Sequence, residues 1–261
     1  MKRLSFVIIF LLFIQFCLAQ TAKNSLSRQN LKGRIKKIES ALYNLTSDSV
    51  KLDTLVPHDK FIDLYDEKGN EVEDSYFGKD GILVSKSIKK YNEKNENIEE
   101  DYFTKGVVLE STTIYKYDEK GNLIESDHEF IPDKAYSKTL YKYDDKSNYI
   151  EDDIYNNDDS LRYKDTYKYD SNGNRTELNY WHAKEDTIRV RWTFSYNEYG
   201  NLVREGRYSP GGELEIENVF TYDNIDKAGN WQMKTRKSKG QNKKYATLSS
   251  YSVTTRRIYY Y

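Results

Sequence analysis

The chain has 261 residues, with 41 Lys and Arg against 42 Asp and Glu, a net charge of −1 and a mean hydropathy of −0.90. One cysteine and three histidines exclude a disulfide framework and argue against a zinc site. With 25 tyrosines and few aliphatic residues, tyrosine must supply much of the buried area, its ring apolar and its hydroxyl free to reach a partner or water.

Residues 1–19 read as a secretory signal peptide. Lys2 and Arg3 form the charged start, Phe6 to Ile14 is an unbroken apolar run, and Cys17-Leu18-Ala19 puts small residues before a cut ahead of Gln20. The run is too short for a membrane anchor, and Phe16 is a poor neighbour for lipidation at Cys17. Cleavage removes the lone cysteine and leaves 39 basic against 42 acidic residues. No second apolar run of membrane length follows, so a soluble chain outside the cytoplasm is expected: periplasmic, cell-surface or secreted.

Residues 20–60 read as a polar, flexible lead-in with one probable strand. Ile35, Ile38, Leu42 and Leu45 fit a helical stripe, but Arg34–Leu45 sits where an incoming strand would sit, and strand is the assignment made. From 61 to 261 the chain is a repeat array. Tyr-x-Tyr-Asp followed by Gly-Asn recurs, and its second tyrosine falls at Tyr65, Tyr91, Tyr117, Tyr143, Tyr169, Tyr196 and Tyr222, seven copies at a period of 26 with one step of 27. In Thr113–Tyr117 the side chains alternate as in a strand, and Asp118-Glu119-Lys120-Gly121-Asn122 suits a three-residue hairpin loop, with glycine in the left-handed position as a bulge. Gly69, Gly173, Gly200 and Gly229 hold the same place. Asn95 is the next most tolerant residue there, whereas Ser147 predicts a distorted turn. Second turns at 78–81, 104–106, 132–134, 156–159 and 209–212 return the chain.

The expected architecture is therefore all-β, an antiparallel meander of about fourteen strands that curls into a spiral sheet or a barrel, because open sheets of that width rarely stay flat. The tyrosine positions should line the inner face, and Lys90, Lys116, Lys142 and Lys168 should face water. Pairing Tyr117 with Leu123 and Tyr115 with Glu125 puts the ladder Glu73, Glu99, Glu125, Glu151 and Glu177 on the tyrosine face; a register displaced by one residue puts it on the other. Residues 227–261 carry nine basic and no acidic residues, while 59–81 carry eight acidic and three basic, so the two ends can attract one another and help close the sheet.

The repeated Tyr-x-Tyr-Asp-x-x-Gly-Asn unit resembles the YD repeats of the RHS family over about residues 61–235. Large members of that family resemble spiralled β-shells that enclose a toxin, or adhesion shells at cell surfaces. This chain has too few repeats to enclose a protein, and no effector domain or self-cleavage aspartates are recognisable in it. It looks more like small exported proteins built only of such repeats.

Catalytic chemistry is weakly signalled. His58, His128 and His182 are far apart, there is no Gly-x-Ser-x-Gly elbow, and no phosphate-binding glycine loop is present. Asp170-Ser171-Asn172-Gly173-Asn174 resembles a calcium loop only superficially, since an EF-hand needs glycine at its sixth position. No catalytic residue, metal site or cofactor is assigned, and the chain reads as a non-enzyme; a hydrolase would need a non-repeating acidic pair in a cleft. The function expected is an envelope-associated or secreted interaction scaffold whose partner is a protein or a cell-surface glycan, not nucleic acid. The alternative is a carbohydrate-binding module using Tyr180, Trp181, Tyr208 and Trp231 with the basic C-terminal segment.

Overall fold

The computed structural model describes residues 25–45, 52, 55–145, 147–184, 187–242, 244–245 and 249–261; the expected signal peptide lies outside them. Apart from a short helix α1 (Ser25–Arg28), the regular elements are strands: β1 (Ile35–Leu45), β2 (Asp59–Tyr65), β3 (Glu71–Phe77), β4 (Leu83–Tyr91), β5 (Asn97–Thr104), β6 (Val108–Tyr117), β7 (Leu123–Phe130), β8 (Tyr136–Tyr143), β9 (Tyr149–Tyr155), β10 (Leu161–Tyr169), β11 (Arg175–His182), β12 (Thr187–Tyr196), β13 (Leu202–Tyr208), β14 (Leu214–Ile225), β15 (Trp231–Gly240) and β16 (Ser249–Tyr260). Each pairs antiparallel with its sequence neighbours, and β1 pairs with β16, giving a closed barrel of sixteen strands. The fourteen strands expected from the repeats are β2–β15; β1 and β16 are the two that shut the ring. The acidic first repeat and the basic last segment thus lie on either side of β1.

Strand, not helix, is the state of Arg34–Leu45, and a bulge accounts for its helix-like spacing. The register shifts between Ile35 and Lys37, so Ile35 and Ile38, three apart, are both fully enclosed. The lead-in is also not a loose tail. Leu26 and Leu31 are buried with Ile35, Ile38 and Tyr65 in one apolar cluster, against which Ile258 packs. The segment 25–34 straps the hairpin end of the barrel. Leu26 N donates to Gly69 O (3.2 Å), Asn30 Nδ2 to Tyr199 O (2.9 Å), and Lys32 and Asn230 exchange two bonds of 2.8 Å.

The repeat hairpins close as their residues require. In the third copy Asp118 N donates to Asn122 O (2.9 Å) and Gly121 N to Asp118 O (3.0 Å), with Gly121 at φ +80°. The Asp118 carboxylate accepts from Lys120 N, Asn122 N and Asn122 Nδ2 at 2.8–2.9 Å. Burial pushes this carboxyl up, but those bonds outweigh it and hold its pKa below the usual value. The Ser147 turn is not distorted. Ser147 N still reaches Asp144 O (2.9 Å), with serine itself taken to φ +61°.

Six of the seven repeat hairpins carry a bulge just past the turn, the exception being the last, where Ile225 meets Trp231 without a shift, and this overturns the tyrosine-face placement of the glutamates. Tyr117 pairs with Leu123 as expected, but Lys116, not Tyr115, pairs with Glu125, because the chain gains one residue there. The same shift recurs between Leu64 and Tyr65, Lys90 and Tyr91, Lys142 and Tyr143, Lys168 and Tyr169, and Ser195 and Tyr196. The whole glutamate ladder consequently lies outside, with the lysines.

Candidate functional site

The barrel has two chemically distinct walls. On the outer wall Lys90, Lys116 and Lys142 are each clamped by two carboxylates of the next strand, and Lys168 by one. Lys116 bonds Glu125 and reaches Asp127 at 2.8 Å; Lys142 bonds Glu151 and reaches Asp153 at 2.7 Å; Lys90 bonds Glu99; Lys168 meets Glu177 at 2.8 Å. The lysine side chains are 53–69% exposed. A lipid-facing barrel carries an apolar outer band about 25 Å tall and tolerates charge near its rims. Each of these lysines is the next-to-last residue of its strand, so the ion pairs form a belt beside the hairpin turns. Among the described residues no helix is long and apolar enough to cross a membrane, a fact that says nothing of strands.

The inner wall is lined by the tyrosine ladder. The second tyrosine of a repeat donates to a backbone carbonyl of the preceding repeat: Tyr91 to Glu71 O, Tyr117 to Asn97 O, Tyr143 to Leu123 O and Tyr222 to Leu202 O, all at 2.8–2.9 Å. These bonds use the main-chain oxygen at the start of each return strand, so they lock one hairpin onto the next. At the first repeat, Tyr65 has no preceding repeat and turns to Gln29 of the strap (3.2 Å).

Barrels of sixteen or more strands can hold an aqueous lumen. This interior is mixed: Asp152, Asp165, Arg175 and Asn218, all inward, are buried. Asp63, Lys234 and Arg256 are ringed by the barrel yet only half-buried, and Arg236, inward by pairing with Phe220, is exposed. Enclosure pushes the Asp63 carboxyl up to about 8, helped by Glu71 and Asp74; Asp74 itself rises to about 6. Burial lowers Lys89, but the neighbouring Glu71, Glu100 and Asp74 carboxylates reverse this and hold it well above its ordinary value.

Two inner acidic pairs escape the repeat, Asp63 with Asp74 and Asp165 with Asp152. Asp165 stands where other copies have Phe61, Ser87, Thr113, Thr139, Trp192 or Asn218, and it faces Asp152 directly across β9 and β10. Tyr167 donates to Asp152 at 2.9 Å. Enclosure and the neighbouring carboxylate push Asp165 up to about 8, while Asp152 sits at about 6, so the pair shares protons near neutrality. Motif reading missed it because acidic residues are everywhere in the chain; only alignment of the repeats by inward position isolates Asp165.

The four candidate glycan-binding aromatics do not meet on one surface. Tyr180 faces the lumen opposite Asp165, and Trp231 turns inward onto Tyr222 (5.5 Å between rings). Trp181 and Tyr208 lie outside, both half-buried, with Arg191 stacked on Tyr208 at 4.5 Å between them. The Asp170 loop is a hairpin turn whose carboxylate is taken up by Asn172 N, Asn174 N and Asn174 Nδ2. Among the described residues no group of three or more His, Cys, Asp and Glu is placed to hold a metal ion. A concavity of about 690 Å³ lies where β16, β1 and β2 meet, its lining including Glu39, Tyr43, Lys60, Phe77 and Arg257.

The molecule is thus a closed antiparallel β-barrel with a charged exterior and a tyrosine-lined interior that is open in part. Among solved structures it is similar to a porin-like protein from Bacteroides uniformis, at 12% identity and a TM-score of 0.56 over 87% of this chain and 98% of that one, which shows a shared fold. Two further matches are too distant in shape to carry an argument. One is the TcdB2-TccC3-Cdc42 assembly (13% identity, TM-score 0.30), where 74% of this chain covers 14% of that one; the other is a putative outer membrane lipoprotein-sorting protein domain from Vibrio parahaemolyticus (11% identity, TM-score 0.26, 86% and 84% covered). No family model and no curated protein matches the chain.

Proposed function

We propose that the chain is an exported, non-enzymatic barrel of YD-repeat type that works in an aqueous compartment of the cell envelope, or outside it, as an interaction scaffold. The observation that carries this reading is the outer ion-pair ladder, Lys90, Lys116, Lys142 and Lys168 each clamped by one or two carboxylates of the next strand, on a fold otherwise shared with a porin-like protein. The kinship with YD repeats rests on the Tyr-x-Tyr-Asp-x-x-Gly-Asn unit, whose aspartate, glycine and second tyrosine each have a defined task in the hairpin. The export signal at residues 1–19 supplies the compartment. A tagged full-length chain, expressed in a bacterial host and fractionated, should leave with the soluble periplasm, the carbonate-washable surface or the medium. Retention in the carbonate-resistant membrane fraction would contradict the proposal.

The carbohydrate-binding reading keeps one supporting feature, the outer patch of Trp181, Arg191 and Tyr208. A glycan-dependent thermal shift lost in a Trp181→Ala variant would favour it over a protein partner.

A further inference from the structure

Three inward cations follow one another along the lumen wall without a carboxylate clamp. Lys234 and Arg236 are alternate residues of β15. Arg256 is two residues beyond Thr254, the partner of Lys234 on β16, so the three charges climb the wall in two-residue steps of about 6.6 Å. Among the described residues none of the three has an ion pair, in contrast to the outer lysines. Two of them have aromatic partners: Arg256 lies 3.1 Å over the Trp231 ring and donates to Trp231 O (3.2 Å), and Lys234 sits 5.3 Å from the Trp231 ring and 5.9 Å from Phe220. The nearest inward carboxylates act on them only through space: Glu205, which accepts from Asn218 at 2.7 Å, on Lys234 and Arg236, and Asp63, which faces Asp74 across β2 and β3, on Arg256.

We propose that this sector of the lumen, formed by Lys234, Arg236 and Arg256, is a binding site for a small extended polyanion whose charged groups are spaced several ångströms apart. Like charges held together inside a protein repel one another and lose hydration, so a fold that keeps them unpaired has a site an anion completes. Enclosure and the two arginines depress Lys234 to about 8, in keeping with an uncompensated charge. The lumen supplies the room, and the aromatic rings fix the cations in place before a ligand arrives. The chemistry required is a row of oxyanions, carried by carboxylated sugars or by a phosphate chain. The inference rests on the half-buried to exposed state of these three side chains and does not depend on the export reading.

The test is titration of the purified chain from residue 20, by tryptophan fluorescence and calorimetry, with trigalacturonate, inorganic triphosphate and neutral maltotriose. Saturable binding of one or both anions, weakened by added salt and absent for maltotriose, is expected; which anion binds more tightly assigns the source. Lys234→Met should weaken the anion at least tenfold and raise the melting temperature of the ligand-free protein. Arg236→Gln, an exposed lumen residue whose loss cannot unfold the barrel through a broken bond, should weaken it severalfold. Lys237→Met, on the outer wall of the same strand over Tyr251, should leave it within twofold. No anion binding, or equal weakening by Lys237→Met and Arg236→Gln, overturns the proposal.

Discussion

Gly121 sits at φ +80° in the third repeat turn, and a Cβ built there meets only the Glu96 Oε1 atom, at 3.3 Å. Space is therefore not the constraint; the backbone is. An L-residue pays about 1–2 kcal/mol in this region, and a β-branched one lies at the high end. Asparagine tolerates it better and already holds the equivalent position, Asn95 at φ +63°. Gly121→Val should cost about 2 kcal/mol and Gly121→Asn under about 1 kcal/mol, since both add the same Cβ and differ in backbone preference. For a chain of this size that is a fall of roughly 4–8 °C for valine and of roughly 2–4 °C at most for asparagine, at 2–4 °C per kcal/mol. Urea and thermal melts followed by circular dichroism measure both. Equal losses for the two variants would show that Glu96 crowding, not the left-handed turn, sets the cost, and would refute the hairpin argument.

Other consequences follow from the inner wall. Tyr117→Phe removes the donor to Asn97 O and leaves a buried carbonyl unpaired, at a cost of about 1–3 kcal/mol in urea unfolding; a loss no larger than at an exposed tyrosine such as Tyr199 would argue against the ladder. Asp63 and Asp165, raised to about 8, bind a proton in the folded state that the unfolded chain has released above about pH 4. Stability should therefore fall as pH rises from 4 to 8, and Asp165→Asn should flatten that slope; a slope of opposite sign, or one unchanged by the substitution, contradicts the enclosed pair. Lys234, depressed to about 8, acts the other way at higher pH. Between 8 and about 10.5 the unfolded chain binds the proton the folded one has lost, so its contribution to stability rises there, and Lys234→Met should abolish that rise in the urea midpoint.

Much of this barrel was legible in the sequence because its turns are written in residues with narrow conformational options. Asp118, Gly121 and Asn122 name a hairpin, and 26-residue spacing of Tyr91, Tyr117 and Tyr143 names the array. The bulge was the point of failure. It adds one residue after six of the seven repeat turns, which leaves Tyr117 opposite Leu123 but moves Glu125 from beside Tyr115 to beside Lys116. A single residue of register thereby separates a buried acidic network from a solvated ion-pair ladder. The strap was hidden for another reason: Leu26 and Leu31 are isolated apolar residues in a polar stretch, and their burial depends on the barrel end that receives them. The lumen charges, Lys234, Arg236 and Asp165, occupy inward positions that vary from copy to copy, so periodicity could not single them out. The candidate aromatics do not share one surface because strand alternation sends Tyr180 and Trp181, adjacent in sequence, to opposite walls.

The assignment of walls is tested most directly by cysteine accessibility. The chain expected after cleavage has no cysteine, so single substitutions at 112 to 117 in turn report one site each, labelled in detergent-free buffer with a maleimide carrying a polymer too bulky to enter the barrel. Fast labelling at 112, 114 and 116 with protection at 113, 115 and 117 is the predicted pattern. The opposite phase, or uniform labelling through the strand, would contradict a barrel with tyrosines inside and ion pairs facing water.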